Sequence, residues 1–397
     1  MVNRFDFTKP GTVLISCGRG IAPFLETELR ELGHPIQSRH ETGVIISAGW
    51  RQCLRLCLCL RTALHVLWQL GEWRCRTAQE LYGYAAALPW ETLISPAEYL
   101  SVVSRTDTAC IRNSQFANQK VKDAIVDRIA AKKGKRPDAG AQRKNAVVNL
   151  FWKDDRCWLY LNLSGEKLSD RGYRAIPHQA PLQETLAAAL LRAMGYNGSQ
   201  PLVLPMCGSG TLAVEAALIS AGRAPGLVRE NFGFMHVLPF HSAEWRSLRA
   251  EIAASAKNKT AAPIVASDYD RTALAASRRN ALAAGVSQFI EFHQEKFQNT
   301  PLPPAPGIIL LNPEYGHRLG DAEQLAAVYA SIGDFFKQRC AGYLGGIFTG
   351  NMELAKKIGL RTKQRMPFFN GDIECRLITY ELYAGSRKNT VPNEPRL

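Results

Sequence analysis

Asn312, Pro313 and Tyr315 follow directly on the apolar run "GIILL", so an amide, a rigid proline and an aromatic ring stand at a strand tip. An exocyclic amine on a nucleobase is a poor nucleophile, because its lone pair is delocalised into the ring. Two acceptors that bind its N–H groups, the Asn312 side-chain oxygen and the Pro313 carbonyl, would draw that nitrogen towards a tetrahedral, reactive state. Such a site works by positioning and hydrogen bonding and demands no separate strong base. Tyr315 would stack on the base, a contact worth ~1–3 kcal/mol. Glu314, wedged between the proline and the tyrosine, has no evident part in this chemistry.

A second chemical motif is "MCGSGTLAVEA" at 206–216, where Gly208 and Gly210 mark a tight turn from strand to helix. Glycine lets backbone approach a ligand closely, and the helix N-terminus offers free N–H groups. Three ligands fit such a turn. A phosphate-binding P-loop needs Gly-Lys-Ser/Thr, and no lysine follows Gly210. A dinucleotide fingerprint is met in part by Gly208, Gly210 and Ala213, but its acid is due about 20 residues on, and the acid ending the next strand is the distant Asp268. The third ligand is S-adenosylmethionine, with the Asp268 carboxylate accepting the ribose hydroxyls. The turn alone is weak; joined to Asp268 and Asn312 it is specific.

These residues need a scaffold. From 183 onward, apolar strands ("PLVLP", "PIVASD", "FIEFHQ", "GIILL", "YLGGIFTG", "CRLITYELY") alternate with helices, which predicts a buried, mostly parallel sheet covered on both faces. Ligands bind such sheets at the carboxyl ends of the strands. The first fifty residues read as strand, loop, helix closed by Gly33, and strand. A helix is expected over 51–70, a turn region over 82–90, a strand at "EYLSVVSRT", a helix over 115–133, and strands at "NAVVNLFWK" and "CWLYLNLS". Residues 164–182 read as a polar linker and 386–397 as a disordered tail.

The net charge of +14 points to a polyanionic partner. Lys120, Lys122, Arg128, Lys132 and Lys133 on one helix, with Lys135, Arg136, Arg143 and Lys144 in the following loop, suit a phosphate backbone and favour RNA over a merely solvated face. No stretch approaches the ~20 apolar residues of a membrane span. The N-terminus lacks a basic-then-apolar export pattern. Ten cysteines without a Cys-x-x-Cys pair read as reduced thiols of a cytoplasmic protein, with no metal site.

Taken together, "SCGRGIAPFLETELRELG", "LRTALHVLWQLGEW", "LNLSGEKLSDRGYR", "APLQETLAAALL", "PMCGSGTLAVEAALIS", "APGLVRENFGF", "ASDYD", "NPEYGHRLG" and "FFNGDIECRL" resemble the bacterial THUMP-domain class I RNA methyltransferases that modify guanine N2. The resemblance spans nearly the whole chain. It implies an α/β protein with a ferredoxin-like region (1–50), a THUMP RNA-binding domain (51–163) and a Rossmann-like methyltransferase domain (183–385). It further implies that Pro205, Cys207, Gly208, Ser209, Gly210, Thr211 and Asp268 contact S-adenosylmethionine, with Glu184 and Thr185 lining the same pocket. Ribosomal RNA, 23S in particular, is the expected substrate, ahead of tRNA.

Three departures stand out: Leu204 where the family usually has Asp, Lys296 (beside Glu295) where an Asp commonly binds the adenine amine, and Glu314 where the motif usually has a second proline. They leave open a second reading, an RNA-binding or ribosome-assembly factor with weakened catalysis.

Overall fold

Val13, Ile15 and Cys17 alternate inward along β1 (Gly11–Cys17), and pairing on both edges makes this strand central to its sheet. The computed structural model describes residues 5–111, 113–174, 182–315 and 322–384. It forms two units, one drawing on Met1–Tyr173, Gln183–Ala189 and Gly222–Lys257, the other on Arg174–Leu182, Leu190–Ala221 and Asn258–Leu397.

In the first unit, α1 (Ala22–Glu31) buries Leu25 and Leu29, and the chain leaves it through Gly33 at φ +82°. Next come β2 (Ile36–His40), β3 (Gly43–Ala48), α2 (Trp50–Cys59) and β4 (Ala63–Arg74). The four strands order as β2-β3-β1-β4, all antiparallel, a ferredoxin-like motif whose six elements run across residue 50.

The helix expected over 51–70 ends at Cys59. An unbroken apolar run fits a buried helix or a buried strand equally, and tertiary contacts decide. Here the buried Glu28 accepts the backbone N–H of Arg61 (2.8 Å) and Thr62 (3.1 Å) and the Thr62 hydroxyl (2.6 Å). The chain turns at that point, and β4 pairs with β1.

The turn expected over 82–90 is largely helix: Thr77 caps α3 (Ala78–Ala87) by accepting the Glu80 N–H at 3.1 Å. Then follow β5 (Tyr99–Asp107), α4 (Ser114–Lys133), β6 (Asp138–Ala139), β7 (Ala146–Lys153) and β8 (Arg156–Asn162). They extend the same sheet to the order β2-β3-β1-β4-β8-β7-β5-β6.

The first part of the expected linker, 164–174, is packed rather than loose. Buried Arg171 donates to the carbonyls of Arg61 (2.7 Å) and Leu168 (3.0 Å), which supplies partners that buried carbonyls require. Residues 175–181 and the expected tail, 386–397, lie outside the described residues.

Beyond it lie α5 (Glu184–Ala193), β9 (Leu202–Pro205), α6 (Thr211–Ser220) and α7 (Ser242–Ala254), the last belonging to the first unit. The second unit continues with β10 (Ile264–Asp268), α8 (Arg271–Ala283), β11 (Glu291–Gln294), β12 (Gly307–Leu311), α9 (Ala322–Arg339), β13 (Tyr343–Thr349), α10 (Met352–Lys356), β14 (Gln364–Asn370) and β15 (Ile373–Glu381).

Its sheet runs β11-β10-β9-β12-β13-β15-β14, the first five strands parallel and β15 reversed. Val203, Val265, Ile309 and Leu311 pack one face against Tyr329, Phe335 and Phe336 of α9. Winding outward from β9 in both directions puts the switch in strand order at β9 and β12, where an α/β sheet opens its ligand crevice.

Candidate active site

Ser267 pairs with Pro205 and Ile309 with Val203. Continuing that register sets Leu311 level with Pro205, so the segments starting at Met206, at Asp268 and at Asn312 leave the sheet side by side.

The first segment is a turn under conformational constraint. Met206, Gly208 and Gly210 all take positive φ (56°, 55° and 80°). At Gly210 glycine is required twice over, because a Cβ would lie 2.0 Å from the Ser277 hydroxyl on α8. At Gly208 the added atom would meet nothing within 4 Å, so the turn presents bare backbone to open space.

Two side chains fix the turn. Asp268 accepts the Gly208 N–H at 2.8 Å and the Asp270 N–H at 3.0 Å. Asn280 of α8, buried, donates to the Ser209 carbonyl at 3.0 Å. A carboxylate has about four acceptor positions, so Asp268 retains capacity for hydroxyl donors. Burial, reinforced by the neighbouring Asp268 charge, pushes the Cys207 thiol up to about 12. Cys207 is therefore a protonated loop residue, unfit as a nucleophile. Thr211 opens α6, and its hydroxyl lies 3.4 Å from an Arg174 nitrogen.

At the second tip, Pro313 is buried and Asn312 half-buried. The Asn312 Oδ1 atom is shielded from solvent and has no hydrogen-bond partner among the described residues. Leaving a buried acceptor unpaired costs ~1–3 kcal/mol, and such an atom calls for an explanation. It is the acceptor expected to meet a base amine.

Tyr315 is held firmly. Its hydroxyl accepts from Asn370 Nδ2 at 3.0 Å and lies 3.7 Å from the Cys375 thiol, and its ring meets Phe348 edge-on at 6.2 Å. Burial raises its phenol well above the ordinary range, so it stays neutral. Gly350 makes room for the ring: a Cβ there would lie 2.9 Å from it. The Glu314 side chain is exposed, while its carbonyl lies 3.4 Å from the Tyr329 hydroxyl.

Of the departing positions, Leu204 is a core strand residue, 1% exposed and paired with Ala266. Glu295 and Lys296 are exposed, and the Glu295 N–H donates to the Asp268 carbonyl at 3.1 Å, which brings that loop to the β10 tip.

The supporting residues Asn280, Ser277, Asn370, Cys375 and Gly350 escaped the sequence reading. Asn370 and Cys375 do fall within "FFNGDIECRL", but nothing local in that stretch reveals a partner 55 residues away. Glu184 and Thr185 open α5, both buried, and the Thr185 hydroxyl has no hydrogen-bond partner among the described residues.

The basic cluster belongs to the first unit and divides by role. Lys132, Lys133, Lys135, Arg136, Arg143 and Lys144 are exposed, Arg136 within 3.4 Å of Asp127. Lys120 sits over the Phe116 ring at 5.4 Å, and Lys122 donates to Gln119 at 2.8 Å. Arg128 makes a bidentate pair with Glu91 at 2.9 and 2.8 Å, which fixes it as an anchor of α4 instead of a free cation. No helix among the described residues is long and apolar enough to cross a membrane.

The chain is similar to known proteins over most of its length. In chain order, the RlmL ferredoxin-like domain matches residues 12–67, the THUMP domain 75–162, and the RMKL-like methyltransferase domain 171–379. The ribosomal RNA large subunit methyltransferase K/L of Syntrophotalea carbinolica is 37% identical over 378 residues, covering 92% of this chain and 52% of that protein. The chain thus spans about half the length of that relative. A Synechocystis sp. protein provisionally named an RNA methyltransferase is 34% identical, covering 92% of this chain and 95% of its own. A solved structure, provisionally named a methyltransferase and complexed with SAH, superposes with a TM-score of 0.84 at 25% identity, over 96% of this chain and 99% of its own.

Proposed function

For a chain that belongs to the RMKL-like methyltransferase-domain family, we propose S-adenosylmethionine-dependent methylation of the N2 amine of a guanine in RNA, with large-subunit ribosomal RNA as the substrate. The observation that carries this reading is the Asn312 Oδ1 atom, buried at the switch point of the sheet and without a hydrogen-bond partner among the described residues. It fits a donor that arrives with the substrate.

The residues present also fit the cofactor. Pro205, Cys207, Gly208, Ser209, Gly210 and Thr211 form a backbone cradle open at Gly208, and Asp268 offers spare acceptor positions beside it. When bound, the cofactor supplies an electrophilic sulfonium methyl. The chain contributes placement. Asn312 Oδ1 and the Pro313 carbonyl accept the two N–H groups of the base amine and turn its lone pair outward. Tyr315, clamped by Asn370 and Phe348, offers a rigid ring against the base. Preorganised acceptors of this kind are worth a factor of ~10²–10³ each in rate. The basic α4 face and the loop at 134–144 supply sequence-independent grip on the RNA, and the target base is met unpaired or flipped out.

Ribosomal RNA is favoured over tRNA by the name of the Syntrophotalea relative. Of the three departures behind the catalytically weakened alternative, Leu204 is part of the sheet core while Lys296 and Glu314 are exposed, and the retained Asn312, Pro313 and Tyr315 favour the enzyme.

Two measurements test the proposal. Calorimetry should detect S-adenosylmethionine binding to the wild-type chain; silence at high micromolar cofactor would leave only an RNA-binding protein. Mapping methylated guanines in RNA of cells with and without the protein should reveal one missing N2-methyl mark in large-subunit rRNA. A missing mark in tRNA alone would move the substrate there.

A further inference from the structure

Between α6 and the end of α7 the chain builds a feature that the functional reading leaves unused. Arg223, Arg246 and Arg249 line an open groove of about 550 Å³ together with Leu227, Ala250, Ala253 and Ala256. No acidic residue is among the described residues that line it. Gathering guanidinium groups around one groove costs like-charge repulsion, and a ligand of opposite charge offsets it.

The groove is preorganised. Arg249 donates to the Arg229 carbonyl (2.9 Å) and the Leu227 carbonyl (2.6 Å), which fixes its guanidinium and leaves part of the five-donor fork unused. Arg246 is exposed and makes no ion pair with any described residue. Ala250 and Ala253 of α7, with Ala256 just beyond it, line the groove with small side chains.

We infer that this groove is a second RNA-backbone site, in which Arg223, Arg246 and Arg249 take phosphodiester oxygens and the alanine floor takes sugar surface. Planar guanidinium forks match phosphate geometry better than ammonium groups do, and this groove is lined by arginine where the α4 face is mostly lysine. The inference rests on the RNA reading above and adds a binding surface that the basic cluster of residues 120–144 does not include.

The test is fluorescence anisotropy of a labelled large-subunit rRNA hairpin with the full chain, between 50 and 300 mM salt, on the order of the range where counterion release dominates. Arg246→Glu and Ala253→Glu change exposed side chains and should leave the melting temperature unchanged. Each should weaken binding at least tenfold at the low-salt end and lower the slope of log K against log salt by about 0.7–0.9 for every phosphate no longer neutralised. Combined with Lys132→Glu and Lys133→Glu, the reductions in slope should add. If the variants bind with the wild-type affinity and slope, the groove is not an RNA site, while the proposed function stands. If a poly-glutamate peptide fills the groove and RNA fails to displace it, the groove serves an acidic protein segment and the inference is overturned. If the wild-type chain binds no RNA at all, the proposed function falls and this site falls with it.

Discussion

Replacing Asn312 by alanine separates chemistry from architecture, because the two readings of this residue predict opposite signs. Its Oδ1 is buried and has no hydrogen-bond partner among the described residues. An unsatisfied buried acceptor costs ~1–3 kcal/mol, and truncation removes that cost together with the modest packing of a half-buried side chain. The net effect on folding should lie between nothing and a gain of about 2 kcal/mol. At roughly 2–4 °C per kcal/mol for a unit of this size, the melting temperature should hold or rise by a few degrees. Methyl transfer to saturating RNA under single-turnover conditions should fall by ~10²–10³, about 3–4 kcal/mol of barrier. Affinity for S-adenosylmethionine should barely change, since Asn312 acts on the base amine. A drop of several degrees in melting temperature, accompanied by weak cofactor binding, would show that Asn312 holds its loop in place and that the orphaned oxygen has no catalytic meaning.

Other perturbations probe separate parts of the site. Glu314→Pro, at an exposed position, should preserve or raise activity by stiffening the loop; a loss beyond tenfold would give Glu314 a role of its own. Asn370→Ala should remove a part-buried hydrogen bond to Tyr315 worth ~0.5–1.5 kcal/mol and slow methyl transfer about 2–13-fold with cofactor affinity intact. Tyr315→Phe should add nothing to that loss, and additive losses would refute the clamp. Charge reversal at Lys132 and Lys133 should flatten the salt dependence of RNA binding by about 0.7–0.9 per phosphate released, whereas an unchanged slope would mark a merely solvated face. The Cys207 thiol, raised to about 12, ionises only as pH climbs towards that value. At pH 8 its thiolate fraction should be ~10³ below that of an ordinary thiol. Iodoacetamide labelling as fast as that of a free thiol would contradict the burial argument.

The second sheet was legible because several of its strands are short and apolar and are separated by helices, the pattern of a covered parallel sheet. The site was legible for the same reason: Gly208, Asp268 and Asn312 each follow one of those runs. Besides β4, three strands escaped, β2, β6 and β14, and all three lie at the edges of their sheets. An edge strand has one hydrogen-bonded flank and tolerates polar residues and proline, as "IQSRH" and Pro367 show, so it lacks the apolar signature. The split of 51–70 into helix and strand hinged on Glu28, a carboxylate in α1 that no local pattern connects to Arg61. Arg128 looked like one more member of a basic face, and only its distant partner Glu91 reveals it as structural.

The strand β4 is twelve residues long; Ala63–Trp68 bonds to β1 while Leu67–Arg74 bonds to β8. One ribbon thus belongs to two ladders, and the ferredoxin-like and THUMP regions share a backbone seam instead of a hinge. A fragment cut at residue 50, or one begun after residue 74, would lay bare a raw row of amides ready to zip onto neighbouring molecules. Any attempt to graft the THUMP region onto another protein would have to carry the whole N-terminal slab with it.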